Sequence, residues 1–219
     1  MTSAPEAAHT TVQVKQLEDE LRRRQTAVTC AFLQVLDLRD AETGVHSTRL
    51  AEWAVRVAER LDVPDEDLGN IETAALLHDI GKVGVADTIL HKEGPLSPEE
   101  IVAMRRHSEY GWSILRGLPG FEAAALYVLH HHERVDGGGY PAGLAGDRIP
   151  IGARIVAVID AFDAMVSDRC YRAGLPVQEA FFRLRESAGT QFDKDIVREF
   201  IEVVRAEGST PLLPSLQLK

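Results

Sequence analysis

Eight histidines, His9, His46, His78, His91, His107, His130, His131 and His132, stand in this sequence. The neighbours of several are unlike those of a core imidazole. In LLHDIGK, His78 and Asp79 follow an apolar run and are expected at the inner end of a helix. An ionised Asp there is costly unless something cationic meets it. A divalent metal meets that need, because carboxylate oxygen and imidazole nitrogen ligate zinc, iron or manganese. Gly81 lets the backbone turn, and Lys82 then aims a cation at the same place, which suits a site where a phosphate sits between metal and ammonium. In AETGVH, Glu42 and His46 are four apart and share a helical face if the helix persists through Gly44. A surface Glu–His pair fits that spacing equally well. ARIVAVIDAFDAM puts Asp160 inside an apolar helix, with Asp163 one turn on along the same face. His107 carries no local clue. In HHERVDGGGYP, residues 131–141, His131 and His132 run into a charged turn and three glycines before Tyr140-Pro141. Imidazoles and core aspartates without a thiolate suit two or more metal ions, which activate a water and stabilise both oxygens of a phosphoryl displacement.

These residues need helices to place them. From Val12, the positions Val14, Leu17, Leu21, Arg24, Val28, Ala31, Val35 and Leu38 recur at alternating spacings of three and four. That is a heptad seam with one charged interruption. It predicts a long helix whose later half joins the core, or one whose first half pairs with a second copy. Residues 1–11, small and polar, are expected to be disordered. Leu50, Ala54, Val57, Ala58 and Leu61 form a second helical stripe, and NIETAALLHD a short helix ending at its reactive residues. Ser97, Pro98 and Glu100 make a capping box that starts a helix over about 97–117. Further helices are predicted at about 121–132, 150–167, 176–187 and 193–207. No alternating strand pattern is present, so the expected fold is all-α: a single helical bundle domain behind a long N-terminal helix.

Composition narrows the function classes. The 219 residues suffice for one sizeable domain. A net charge of −10 argues against broad binding to nucleic acid or to an anionic membrane. Cys30 and Cys170 form no C-x-x-C pair, and a reducing cytoplasm is the expected compartment. No stretch approaches the ~20 apolar residues of a membrane span, and the start has no signal-peptide pattern.

Taken in order, His46, His78-Asp79, His107, His131-His132 and Asp160, with HHERVDGGGYP, resemble the HD-GYP family, a branch of the HD-domain metal-dependent phosphohydrolases. The likeness covers about residues 27–207 and includes TGVHS, LLHDIGKVGV, ILHKEGPLSPEE and SDRCYR. It divides the chain into residues 1–26 (start and leader helix), 27–208 (HD-GYP domain) and 209–219 (tail). The resemblance implies an HD-type helical bundle, a buried iron or manganese cluster, and hydrolysis of cyclic di-GMP to pGpG or GMP. Carried over by position, His46, His78, Asp79 and Asp160 hold one metal. Asp79 bridges to a second, held by His107, His131 and His132. A third ion, found in some members, is implied by Glu42, with Asp87 in the place of its further ligand. Lys82 then meets the scissile phosphate, Arg169 and Arg172 grip phosphate, Asp163 orients substrate or ligands, and Tyr140 stiffens the loop exit with its ring toward a guanine. A homodimer through the N-terminal helix and a cyclase or regulatory partner are also expected. Many relatives carry a sensory domain upstream, where this chain has about 26 residues. Two rival readings stay open: a cyclic di-GMP-sensing or partner-binding module without useful catalysis, and a hydrolase of another cyclic dinucleotide.

Overall fold

The computed structural model describes residues 4–39, 44–168 and 173–208, leaving aside the side chains of residues 4–12, 14, 18 and 44–47. In chain order the α-helices are α1 (Ala4–Arg39), α2 (Gly44–Arg60), α3 (Asp65–Leu77), α4 (Asp87–Leu90), α5 (Pro98–Arg105), α6 (His107–Leu115), α7 (Glu122–His130), α8 (Ile151–Val166), α9 (Val177–Glu186) and α10 (Lys194–Gly208). Short 3-10 turns lie at Ile80–Gly84 and Gly146–Arg148. Among the described residues no strand forms, only two isolated bridges, Asp136–Ala145 and Ala188–Phe192.

Local chemistry accounts for two of the helix starts. Ser97 caps α5 by accepting from the Glu100 amide, and the Glu100 carboxylate accepts from the Ser97 amide in return. Acids at Asp65, Glu66 and Asp67 sit against the positive end of α3. The predicted helix over 97–117 is in fact two, parted at Arg106, and the one expected to reach His132 stops at His130. Neither break carries a glycine or proline, so nothing local announced them.

Helix α2 packs on α3 and α8, and α8 is buried along most of its length at Ala153, Ile155, Val156, Val158, Ile159 and Phe162. Trp53, Phe162 and Phe200 meet edge to face at 5.0–5.7 Å between centroids, and Phe181 stacks on Phe162. Each fully buried ring contributes roughly 1.5–3 kcal/mol through removal from water.

Two expectations about α1 change. Its helix begins at Ala4, inside the stretch expected to be disordered, and it crosses residue 26 without a break. Past Pro5, which suits a first turn, the start holds no helix breaker. The later half does join the core, but through Thr29, Phe32, Leu33 and Leu36. Of the heptad seam, Val28 is partly buried there, whereas Ala31, Val35 and Leu38 face solvent. Core stripe and seam occupy different faces of one helix. Residues 209–219, the predicted tail, lie outside the description.

Candidate metal centre

Histidines from three separate segments converge, and the backbone orients them alike. The Nδ1 atoms of His78, His107 and His131 lie 2.8, 2.9 and 2.6 Å from the carbonyl oxygens of Ala75, Met104 and Val128. In every case the partner is three residues earlier. A carbonyl can only accept, so each Nδ1 carries the hydrogen and each Nε2 presents a bare lone pair. Helix ends supply these anchors: His78 and His131 stand at the C-caps of α3 and α7, and His107 opens α6 just after the break at Arg106.

Those lone pairs point at one another. Nε2 of His107 lies 3.4 Å from Nε2 of His131 and 3.1 Å from Nε2 of His132. One nitrogen from each of the three falls within 4.8 Å of the others. Neither His107 nor His131 has a hydrogen to place between them, so their approach is repulsive unless a cation sits there. Ligating imidazoles commonly hold this tautomer through a backbone carbonyl. The donor set therefore fits a divalent metal ion.

Asp79 stands between two parts of the cluster. Its Oδ2 is 3.5 Å from Nε2 of His78, and its Oδ1 is 3.7 Å from Nε2 of His107. Lys82 Nζ lies 2.6 Å from Oδ2. Asp160 Oδ1 is 3.7 Å from Nε2 of His78. Burial pushes the Asp79 carboxyl upward, but Lys82, His78 and His107 outweigh it and hold the group well below the usual carboxylate range. Asp160 goes the other way: enclosure by protein raises its carboxyl, although 29 % of the side chain still meets solvent. The Asp79 charge adds to that rise.

Burial and the neighbouring imidazoles hold His131 well below the ordinary imidazole range and His132 at about 3. Both rings are neutral at pH 7 and can ligate without shedding a proton. In metal-free protein this has a signed consequence. An unfolded imidazole binds a proton near pH 6.5 while the folded one refuses it. Stability is therefore fully present above pH 6.5 and is lost as pH falls toward the depressed values. Denaturant titrations of metal-free chain from pH 8 to 5 are expected to show a loss approaching ~1.4 kcal/mol per pH unit for each imidazole kept neutral. A flat profile would contradict the neutral cluster.

Glycine at Gly81 permits the approach that brings Asp79 to His107. A Cβ there would lie 1.8 Å from the His107 carbonyl oxygen and 2.5 Å from the Gly111 amide nitrogen. The chain does turn there, in the 3-10 turn at Ile80–Gly84, but Gly81 is absent from the positive-φ glycines, so it is the contact with α6 that requires glycine.

The loop after His132 folds onto itself. Buried Glu133 accepts from the amides of Ala142 at 2.7 Å and Leu144 at 3.1 Å. Arg134 pairs with Asp136, which also accepts from the Gly138 amide, so all three charged residues fix the turn. A Cβ at Gly139 would meet Arg134 N at 2.4 Å and His132 O at 2.6 Å. That glycine lets the loop lie against its own chain. Tyr140 stacks on His132 with centroids 4.9 Å apart. Burial raises its phenol above the ordinary range against the pull of Arg105, with Asp160 and Asp79 adding to the rise.

Other predicted site residues are placed differently. Asp163 accepts from Arg49 at 3.1 Å. Asp87 is 71 % exposed and pairs with Arg39 at 2.8 Å, and Arg39 also donates to the Val85 carbonyl at 2.6 Å. A third ion at Asp87 would compete with that guanidinium. His46 lies in the first turn of α2, its side chain among those not described. Glu42, Arg169 and Arg172 lie outside the described residues. His130 faces Glu133 at 3.5 Å. Arg105, over the Tyr140 ring, is a site neighbour that sequence reasoning missed. Nothing local distinguishes it from Arg106.

A family profile described as HD domain matches residues 31–196. The chain belongs to the HD-domain family. Its HD domain is similar to a cyclic di-GMP phosphodiesterase of Thermotoga maritima, 41 % identical over 177 residues, covering 78 % of this chain and 48 % of that protein. It is also similar to a 3'3'-cGAMP-specific phosphodiesterase of Vibrio cholerae, 38 % identical over 168 residues, covering 77 % of this chain and 36 % of the other. The chain spans about half the length of the curated cyclic di-GMP phosphodiesterases it matches. Among solved structures, the HD domain of the Listeria monocytogenes phosphodiesterase PgpH with cyclic di-AMP shares the fold at a TM-score of 0.59 and 17 % identity, over 84 % of this chain and 99 % of that one. The HD fold is thus all-α here as there. Among the described residues, no helix is long and apolar enough to cross a membrane.

Proposed function

We propose that this HD domain is a metal-dependent phosphodiesterase that hydrolyses cyclic di-GMP to pGpG or GMP. The observation that carries the reading is Asp79, whose two oxygens face His78 and His107 on either side while Lys82 reaches the same carboxylate. His78, Asp79 and Asp160, with His46, would hold one divalent ion, and His107, His131 and His132 with Asp79 a second. Iron or manganese suits a donor set of nitrogen and oxygen without thiolate. Ions bound there lower the pKa of water and stabilise charge on the attacking and leaving oxygens of a phosphodiester. Lys82 holds a cation where a phosphate oxygen would lie, and Asp163, Arg169 and Arg172 are assigned to substrate. The relatives named cyclic di-GMP phosphodiesterases support the substrate class.

The test is anaerobic hydrolysis, followed by chromatography, with metal content measured on the same sample. Cyclic di-GMP loss that stops with a chelator and returns with ferrous or manganous ion is expected. Turnover by metal-free protein would refute the reading, and so would tight binding of intact cyclic di-GMP by metal-loaded protein. Because some relatives are named for cGAMP, 3'3'-cGAMP belongs in the same assay as the second reading.

We propose further that α1 joins two copies of the chain through its exposed seam. Leu17, Leu21, Val35 and Leu38 are 66 %, 46 %, 48 % and 90 % exposed, on a face the core does not use. The one charge in that seam, Arg24, is paired with Glu20 at 2.5 Å. Sedimentation is expected to show a dimer that Leu21→Lys converts to monomer; a monomeric wild-type chain would exclude it.

A further inference from the structure

Tyr140 has a second neighbour besides His132. The Arg105 guanidinium carbon lies 5.0 Å from the Tyr140 ring centroid, while that ring stacks on His132. Arg105 closes α5, and one residue later the chain breaks at Arg106 so that His107 can open α6. The break that turns His107 inward therefore leaves Arg105 outside, on the rim of the same centre. Its side chain is exposed to solvent.

Arg105, like Arg106 over Tyr110 and Arg116 over Trp112, stands over an aromatic ring without a carboxylate partner among the described residues, and of the three only its ring stacks on a candidate metal ligand. Arg39, Arg49, Arg60, Arg134, Arg154 and Arg183 each pair with a carboxylate. Among the described residues no carboxylate pairs with Arg105. An aromatic ring orients a guanidinium without neutralising it. Acids outnumber bases here, 34 to 24, and an exposed cation on the rim of a candidate metal centre is open to an anion from elsewhere.

The substrate class supplies one. A cyclic dinucleotide carries two phosphodiesters, held apart by ring closure. The metal centre and Lys82 address the one that is cut, and the other takes a cation at a distance from them, for which Arg105 stands on the rim in addition to the substrate-assigned Arg169 and Arg172. We infer that Arg105 binds the second, uncleaved phosphodiester of the cyclic dinucleotide; this rests on the activity proposed above. A guanidinium offers a planar fork of donors that matches phosphate oxygens two at a time. Contact with Tyr140 restrains the fork in advance, so less side-chain freedom is lost on binding. The Tyr140 ring accordingly holds the phosphate-binding arginine, with His132 and Arg105 both against it.

Arg105→Ala and Arg105→Lys, in the metal-loaded full chain, test this against two substrates. Cyclic di-GMP has two phosphodiesters; bis(4-nitrophenyl) phosphate has one. In Arg105→Ala, kcat/KM for cyclic di-GMP is expected to fall at least about tenfold further than for the nitrophenyl ester, mostly through KM, as for loss of one charge-assisted contact. Arg105→Lys, a point charge without the fork, is expected to recover part of the loss. An equal fall with both substrates would mean that Arg105 only props Tyr140 and His132, and would overturn the inference. So would an unmoved KM for cyclic di-GMP while wild type hydrolyses it. Wild-type chain that cleaves the nitrophenyl ester but no cyclic dinucleotide removes the proposed activity, and the inference with it.

Discussion

Asp79→Asn is expected to lower cyclic di-GMP turnover by about 10³-fold or more, a loss of ~4 kcal/mol of transition-state stabilisation. The substitution keeps the size of the side chain and removes its charge. In the structure that charge lies 3.5 Å from His78, 3.7 Å from His107 and 2.6 Å from Lys82, so it joins both parts of the cluster. An amide cannot balance two cations, and the metal content of the variant is expected to fall with its activity. The substitution also takes from the Lys82 ammonium, 24 % exposed, the carboxylate charge that lies 2.6 Å from it. Turnover and metal analysis on the same folded sample decide the matter. A variant that keeps its metal and at least a tenth of wild-type activity would show that Asp79 is no bridging ligand.

The second large effect belongs to a residue with no side chain. Gly81→Ala places a methyl group 1.8 Å from the His107 carbonyl oxygen, 2.5 Å from Gly111 N and 2.7 Å from the His107 carbonyl carbon. All three are backbone atoms, so no side chain can swing aside to make room. The 3-10 turn at Ile80–Gly84 must move off α6, and overpacking of this kind costs about 1–3 kcal/mol or more. Asp79 moves with the turn and His107 with the helix, so the gap of 3.7 Å between them widens. A misplacement of ~1 Å in a positioned site costs about 10²-fold in rate. Thermal melting with and without metal, together with turnover, reads both effects. A Gly81→Ala chain that melts and turns over like wild type would mean that turn and helix are not in the contact described.

The helical periodicity of α2, α3, α8, α9 and α10 was legible because each buries one stripe or nearly its whole surface. The capping box at Ser97 was legible because it is chemistry between residues three apart. The break at Arg106 was not. It shows no helix-breaking residue, and its effect is tertiary: it turns His107 toward His131 and His132 while leaving Arg105 outside. The helical repeat of α1 was legible, but what its apolar face packs against was not. Periodicity says that a face is apolar and does not say what lies against it.

The site shows the same division. A carboxylate beside a histidine at the end of an apolar helix announces a cation by itself, because burying such a charge alone is unfavourable wherever the helix lies. His78 and Asp79 were proposed as ligands on that ground, and Asp160 because its carboxylate lies inside an apolar helix. His107, with no local clue, acquires its place only when the fold sets it beside Asp79 and His131. Residue types and their order along the chain thus determined which atoms can ligate and in which family they belong. Tertiary structure alone decided which lone pairs meet, that Gly81 is a contact, that Asp87 faces Arg39, and that Arg105 stands over Tyr140. The physical reason is range: valence, charge and helical period are properties of neighbours in sequence, whereas repulsion between lone pairs and exclusion between backbones act between segments far apart in it.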